Sequence, residues 1–278
     1  MILSIIVPLY IGVKYVDRII NMCVKACNVA GITNNAEIIF INDYPDEIVK
    51  IPCSNMKVSV IENGHNMGIH RSRLIGLDCA SGEYIHFLDQ DDIIYEDFYK
   101  SLLQNICNKD VIVSNGIIEL SKENENTKTI YQSKFHMSMV KNCLPYVLFD
   151  NRILSPGQCI LKRNSIPDLW CKETLSKNGA DDFFLWILML YNKKSFAIVD
   201  EVLYVHKNTG NNSSFDGLAM LGSLSEVVDI LDKNFENVYT KILKSKVMHL
   251  NGERTILGFV FDILMSIRKK RIKQMLKR

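Results

Sequence analysis

No run of about eighteen uncharged apolar residues occurs in the 278-residue sequence, so no segment has the length and character of a membrane-spanning helix. A secretory leader is not expected either, because the first eight residues, Met1-Ile2-Leu3-Ser4-Ile5-Ile6-Val7-Pro8, lack a basic start and pass straight into a strand-like pattern. The eight cysteines include no Cys-x-x-Cys pair and no His spacing typical of zinc. Cys23 and Cys27 stand one helical turn apart, as in a buried apolar stripe, and reduced thiols in a cytoplasmic protein are the expectation. Repeats and low-complexity tracts are absent, and neither sign of charge dominates, the net charge being +2. Residues 251–278 hold eight Lys/Arg and two Asp/Glu, a balance of +6, which leaves 25 Lys/Arg against 29 Asp/Glu, or −4, for the first 250. The basic character belongs to the tail, and a nucleic-acid-binding body is not indicated.

What is present reads as a soluble α/β protein with ample core: 47% of residues are hydrophobic and the mean hydropathy is +0.04. Ser4-Ile5-Ile6-Val7-Pro8 is a short apolar run closed by proline, the pattern of a central parallel strand. From Val13 to Ala30 apolar residues recur at helical spacing, and Gly31 supplies a stop. Ala36 to Ile41 is a second strand ending at Asn42-Asp43, so strand, helix and strand predict a right-handed βαβ unit. Val58 to Glu62 is a third strand. The helix predicted over Ile69–Ala80 carries His70, Arg71 and Arg73 near its start, where cations oppose the helix dipole; an anionic ligand or an ordinary solvated face would explain them. Tyr84–Leu88 reads as a buried strand, Tyr95–Asn108 as a helix and Asp110–Asn115 as a further strand, while Glu119–Lys128 is a polar hairpin or loop.

Asp89, Asp91 and Asp92 follow Tyr84–Leu88 at once. A strand buried on both faces cannot carry them, so they belong at its carboxyl end, where the ligand crevice of an open α/β sheet lies. Carboxylates this close raise one another's pKa unless a cation sits between them, and a hard divalent metal with positions open to phosphate oxygens would answer. A solvated acidic turn capping the next helix is the alternative.

Four ordered elements together resemble the family 2 glycosyltransferases, which carry the GT-A fold. They are Ser4-Ile5-Ile6-Val7-Pro8-Leu9-Tyr10, Glu37-Ile38-Ile39-Phe40-Ile41-Asn42-Asp43, Asn66-x-Gly68 with Arg73 and Gly76, and Ala80-Ser81-Gly82 through Leu88-Asp89-Gln90-Asp91-Asp92. The likeness is good over residues 1–115 and thins afterwards. It implies a Rossmann-like, mostly parallel central sheet flanked by helices, with a C-terminal helical extension. It also implies that Pro8 and Tyr10 line a nucleotide pocket, that Asp43 binds the base and that Arg73 contacts the nucleotide. Asp89 opens the Asp-x-Asp signature, and Asp91 and Asp92 hold ribose and metal. Departures touch the same places: Ile11 stands where Asn is usual, Tyr44-Pro45 replaces Gly-Ser, and His70-Arg71-Ser72 replaces small residues.

In the second half, Gly179-Ala180-Asp181-Asp182 opens an apolar helix. On the residues alone this is a helix start with dipole-favoured aspartates. The family resemblance implies more, because its acidic pair before an aromatic helix puts the catalytic base at Asp182. An acid pressed against Phe183, Phe184 and Trp186 would have a raised pKa, which suits proton removal from a sugar hydroxyl. After the strand Val199–Tyr204, the family often has Tyr-Arg and a flexible loop. By that likeness Lys207 contacts the diphosphate, His206 is a further metal ligand or else a surface His, and Asn208–Ser214 is a lid. Residues 131–178, with Ser155–Ile160 entering as a strand, would choose the acceptor.

The organisation expected is a nucleotide-sugar half over 1–115, an acceptor half of the same domain over 116–217 and a helical region over 218–278. Its stripe Ile256, Leu257, Val260, Phe261, Leu264 and Ile267, followed by Arg268-Lys269-Lys270-Arg271, reads as a tail lying on the anionic inner face of the cell membrane. There each surface cation contributes about 1 kcal/mol. The rival is a helix packed on the body or on a second copy in a homodimer. The resemblance implies an inverting transfer, dependent on Mn2+ or Mg2+, of a sugar from a nucleotide-diphosphate donor, UDP-linked, to a hydroxyl of a saccharide or lipid-linked saccharide in surface glycan synthesis. Two alternatives stand beside it: a nucleotidyltransferase, with Tyr10-Ile11-Gly12-Val13-Lys14 as a weak phosphate loop, and a non-catalytic protein of the same fold that binds saccharide or a subunit.

Overall fold

A computed structural model of the chain describes residues 1–119, 127–207 and 217–255, together with 258 and 262. The first half runs β1 (Leu3–Leu9), α1 (Val16–Val29), β2 (Ala36–Asn42), β3 (Lys57–Glu62), α2 (Ile69–Cys79) and β4 (Tyr84–Phe87). Then come β5 (Ile93–Ile94), α3 (Phe98–Gln104), β6 (Val111–Glu119), β7 (Thr127–Thr129), α4 (Lys134–Ser138), α5 (Cys143–Leu148) and β8 (Cys159–Lys162). The described chain closes with α6 (Asp168–Lys172), α7 (Asp181–Tyr191), β9 (Phe196–Lys207), α8 (Gly217–Asn234) and α9 (Val238–Leu250).

The strands share one sheet in the order β3-β2-β1-β4-β8-β6-β9-β5, with β7 paired to β6. β1 to β4 are parallel throughout, as the βαβ reading requires. β8 enters antiparallel between β4 and β6, and β9 returns parallel to β6. Side chains alternate across β1: Ile6 joins the core under α2 and α7, while Leu3, Ile5, Val7 and Leu9 join the core under α1 and α3. Both faces being covered, the strand reads as a continuous apolar run. Cys23 and Cys27 lie fully buried in the inner stripe of α1, as their spacing predicts. α7 is buried almost all round, with Phe184, Trp186 and Leu188 at 0% exposure, so its acidic N-terminus is held rigidly. α8 and α9 complete the same core through Val227, Leu231, Leu243 and Val247.

Two local expectations give way, and one short strand was not expected. The helix after the aspartates spans only Phe98–Gln104, and Asn108 beyond it takes a left-handed φ of 54°. Ser155–Gln158 is a tight turn, not a strand: Pro156 has no amide to give a ladder, and the Ser155 hydroxyl accepts the Gly157 N–H at 3.0 Å. The two-residue β5, which pairs with β9, is too short to leave a periodic signal. The expected lid over Asn208–Ser214 and the amphipathic basic tail fall outside the described residues. No described helix is long and apolar enough to cross a membrane.

α2 crosses β1 at Gly76, where an added Cβ would lie 2.3 Å from Ile6 Cγ2. Alanine gains about 1 kcal/mol of helix propensity, but overpacking costs about 1–3 kcal/mol. Gly76→Ala is therefore expected to lower the urea midpoint, by a net loss of up to about 2 kcal/mol; a raised midpoint would show that α2 can shift away from the strand.

Candidate active site

The carboxyl ends of β1, β2 and β4 open on one cleft of about 1030 Å³. Pro8, Tyr10, Asp43, Arg73, Asp89 and Asp91 line one side; Asp182 and His206 face the same space from the second half of the chain. Asp92 and Lys207 are not among its described lining residues.

Asp43 ends β2 and is nearly fully buried. Its Oδ1 accepts from Asn63 Nδ2 at 2.8 Å and from the Met67 N–H at 2.7 Å, and its Oδ2 accepts from the Gly68 N–H at 2.9 Å. Gly68 has φ +84°, which glycine adopts without strain, so Asn66-x-Gly68 is the turn that folds round this carboxylate. Beside it, the half-exposed Tyr10 is pinned through its backbone: its N–H donates to Gln90 Oε1 at 3.0 Å and its carbonyl accepts from Gln90 Nε2 at 3.1 Å. Its ring meets Tyr44 edge-on, centroids 5.4 Å apart. Ile11 takes φ +50°, a costly conformation for a β-branched residue and one that asparagine tolerates better. The Val13 N–H donates to Glu47 Oε2 at 3.2 Å. Two of the amides that a phosphate loop would present in this turn are thus engaged, which weakens the nucleotidyltransferase alternative.

The three basic residues at the start of α2 separate. Arg71 is exposed. His70 is buried, its Nδ1 accepting the Leu175 N–H and its Nε2 donating to the Trp170 carbonyl, both at 3.1 Å. Burial pushes its pKa down, so it is a neutral structural tie. Arg73, 3% exposed, is clamped between two acids: Nη1 donates to Asp181 Oδ2 at 2.5 Å and Nη2 to Asp89 Oδ1 at 2.6 Å. Burial works against its charge, but Asp181, Asp89 and Asp182 overcome that and hold its pKa above the ordinary value. The reason for this arginine is visible within the protein itself: it joins the end of β4 to the start of α7.

The three aspartates after β4 have different surroundings. Asp89 takes Arg73 on one oxygen and accepts from Ser155 Oγ at 3.0 Å on the other. Asp92 is fully buried, accepting from Tyr204 Oη and from Ser155 Oγ at 3.3 Å through Oδ2, and from the Lys207 N–H at 3.2 Å through Oδ1, with His206 Nδ1 3.1 Å away. Burial raises its pKa, while the His206 and Tyr204 contacts pull it back. Asp91 faces the cleft, and burial, then the charges of Asp92 and Asp89, push it up to about 6. That crowding is what a divalent cation would relieve. Asp91 and His206 both line the cleft and offer hard oxygen and imidazole nitrogen, a donor set that fits Mn2+ or Mg2+ if diphosphate oxygens and water complete it. No cluster of three or more His, Cys, Asp or Glu side chains arranged for a metal occurs among the described residues, so the protein would not supply the full shell alone. Burial disfavours a charged His206, yet the Asp92 hydrogen bond and the charges of Asp92, Asp89 and Asp91 carry its pKa above the ordinary value; metal binding there would displace a proton. Lys207 turns its Nζ to Glu119.

Asp182, in the first turn of α7, accepts from Asn151 Nδ2 at 2.8 Å and from the Phe183 N–H at 2.6 Å. Burial and the adjacent Asp181 push its pKa up to about 8, against the pull of Arg73. Reasoning from the sequence missed Asn151, Ser155 and Tyr204 as parts of this site. It also missed His86, which accepts from Tyr99 Oη on Nδ1 at 2.8 Å and donates to the Gly157 carbonyl through Nε2 at 3.0 Å, fastening the Ser155 turn to β4. The buried histidine inside an apolar strand was a signal for that last contact; serine, tyrosine and asparagine at long separation leave none.

The family model described as Glycosyl transferase family 2 matches residues 4–170. An uncharacterized glycosyltransferase of Haemophilus influenzae is 30% identical over 131 residues, 44% of this chain and 38% of that protein. The chain spans less than half the length of the curated relatives it matches. Among solved structures, S. aureus TarS 1-349 in complex with UDP-GlcNAc superposes with a TM-score of 0.63 at 16% identity, covering 92% of this chain and 75% of that one. The mannosyltransferase PcManGT from Pyrobaculum calidifontis, in complex with GDP-Man and Mn2+, gives 0.58 at 10% identity over 88% and 69%. At these identities the likeness is one of fold, and it is the GT-A fold.

Removing one partner of a buried ion pair costs about 3–5 kcal/mol because the remaining charges stay desolvated. Arg73→Met, which keeps much of the side-chain volume, is expected to destabilise the chain by about that amount in chemical denaturation. A loss below about 1 kcal/mol would mean that Asp89 and Asp181 find other partners.

Proposed function

The chain belongs to glycosyl transferase family 2, and on that premise we propose that it moves a sugar from a nucleotide-diphosphate donor, UDP-linked, to a hydroxyl of a saccharide or lipid-linked saccharide, with inversion. One observation carries the reading: Asp91 and Asp182, from opposite halves of the chain, line the same cleft. The two structural neighbours support a nucleotide-sugar donor, one carrying UDP-GlcNAc and the other GDP-Man.

In this reading the donor lies along β1 and β2, its nucleotide between Tyr10 and Asp43 and its diphosphate toward Asp91. Asp91 and His206, with Asp92 beneath them, would hold the divalent cation, which supplies charge neutralisation for the departing diphosphate. The protein's own groups do the rest. Asp89 and Arg73 keep the Asp91 loop in place, and the acceptor enters from the α7 side. The Asp182 carboxylate takes the proton of the acceptor hydroxyl as its oxygen bonds to the anomeric carbon, and the electron pair of the broken carbon–oxygen bond leaves on the diphosphate. With Asp182 as base and no second carboxylate among the described residues assigned as a nucleophile in this reading, attack comes from the opposite face and the configuration inverts, by the logic that separates the glycoside hydrolases. Aligning two substrates in one cleft accounts for much of the acceleration. Acceptor choice by residues 131–178 and attraction of the basic tail to an anionic membrane face complete the proposal.

A base must be unprotonated to work, so a pKa raised to about 8 makes kcat/KM climb through pH 7 and level off above the limb. Asp182→Asn is expected to abolish that limb and lower turnover by about 10²–10⁴-fold while thermal shift by UDP-sugar and Mn2+ persists. Unchanged turnover would remove Asp182 from the role. Chelation should stop transfer and Mn2+ restore it; full activity with EDTA would reject the cation.

A further inference from the structure

We propose that Asn151 is the positioning residue of the base, its amide holding the Asp182 carboxylate, and that α9 holds Asn151 in turn through Lys246. This rests on the reading of Asp182 as base.

Asn151 Nδ2 donates to Asp182 Oδ2 at 2.8 Å, from a segment that follows α5 and lines the cleft. The segment is anchored to α9: Lys246 Nζ donates to the Phe149 carbonyl and lies 3.9 Å from Asp150 Oδ1. A helix of the C-terminal region therefore reaches the base through two residues, although it contributes no acid to the site. The second polar atom of the amide is the informative one. Asn151 Oδ1 is buried and has no hydrogen-bond partner among the described residues. An orphaned buried carbonyl is costly unless another state uses it.

The catalytic cycle offers that state. While Asp182 is ionised it only accepts, and Nδ2 faces it. Once it has taken the proton of the acceptor hydroxyl it becomes a donor, and a half-turn of the amide presents Oδ1 to it while giving up no other hydrogen bond of that oxygen. One side chain thus serves both protonation states. The charged or titratable groups that face Asp182 are Asp181 on its own helix, Arg73 from α2, Asp89 from the loop after β4 and the Cys159 thiol of β8, with Asp150 and Lys246 beside Asn151. Replacing Asn151 by alanine alters none of these charges, so any change in the titration of Asp182 reports the lost amide.

The test uses the full chain and release of UDP from UDP-GlcNAc with Mn2+, or from whichever UDP-sugar it turns over, followed across pH. The amide's bond to the ionised carboxylate is stronger than its bond to the protonated acid, and loss of that difference moves the limb of kcat/KM upward by about one pH unit in Asn151→Ala. Activity then falls about tenfold below the limb and recovers above it, with KM for the nucleotide sugar unchanged. Asn151→Ser, which keeps a hydroxyl donor, shifts less. A uniform loss at every pH, or a limb that does not move, overturns the proposal. Should the wild type turn over no nucleotide sugar at all, the base reading fails, and urea unfolding still tests the contact. Asn151→Ala must then lose more stability above the pH where Asp182 ionises than below it, and that difference must vanish when Asp182→Asn is present. Equal loss at all pH values refutes the contact.

Discussion

The guanidinium of Arg73 is the contact on which the cleft depends. A charge buried to 3% exposure must be paired, and Arg73 is paired twice, with Asp89 after β4 and with Asp181 at the head of α7. The planar fork of arginine reaches two carboxylates at once, which the point charge of lysine would not reproduce. Its position is fixed in turn by the close crossing of α2 over β1 at Gly76. Through this residue the carboxyl end of β4 and the head of α7 are held in register.

A second buried anion does similar work on the far side. Asp92 gathers the Tyr204 hydroxyl, His206, the Lys207 amide and Ser155, so that β9 closes against the loop after β4. The acidic trio therefore divides its roles: Asp89 pairs with arginine, Asp92 is an internal anchor, and Asp91 looks into the cleft. Equal letters in the sequence are unequal in burial: Asp92 is fully buried, while Asp89 and Asp91 line the cleft.

The same crowding of acids that needs an arginine to hold it also tunes Asp91 and Asp182 in the cleft. Desolvation with like charges brings Asp91 up to about 6 and Asp182 up to about 8. The two values lie on either side of neutrality, where a carboxyl group responds most to the charges around it. Arg73 opposes the shift at Asp182, so one residue shapes both the geometry and the acidity of the opposite wall.

The sequence by itself determined the parallel strands, their helices and the place of the acidic edge, since apolar period and terminal acids are properties of neighbours in the chain. The positions of Asp91 and Asp182 on one cleft were also legible, through the likeness to a family whose motifs keep their order. The pairing of Arg73 with Asp181, 108 positions away, was not, nor was the Asn151 contact with Asp182 or the Ser155 turn. Partner choice among distant polar groups depends on which of them the packed sheet desolvates together, and no local pattern records that. Which residues are acidic was decided by the sequence; which of them are buried, and with which partners, was decided only when the strands closed and burial forced each charge to find its counterpart.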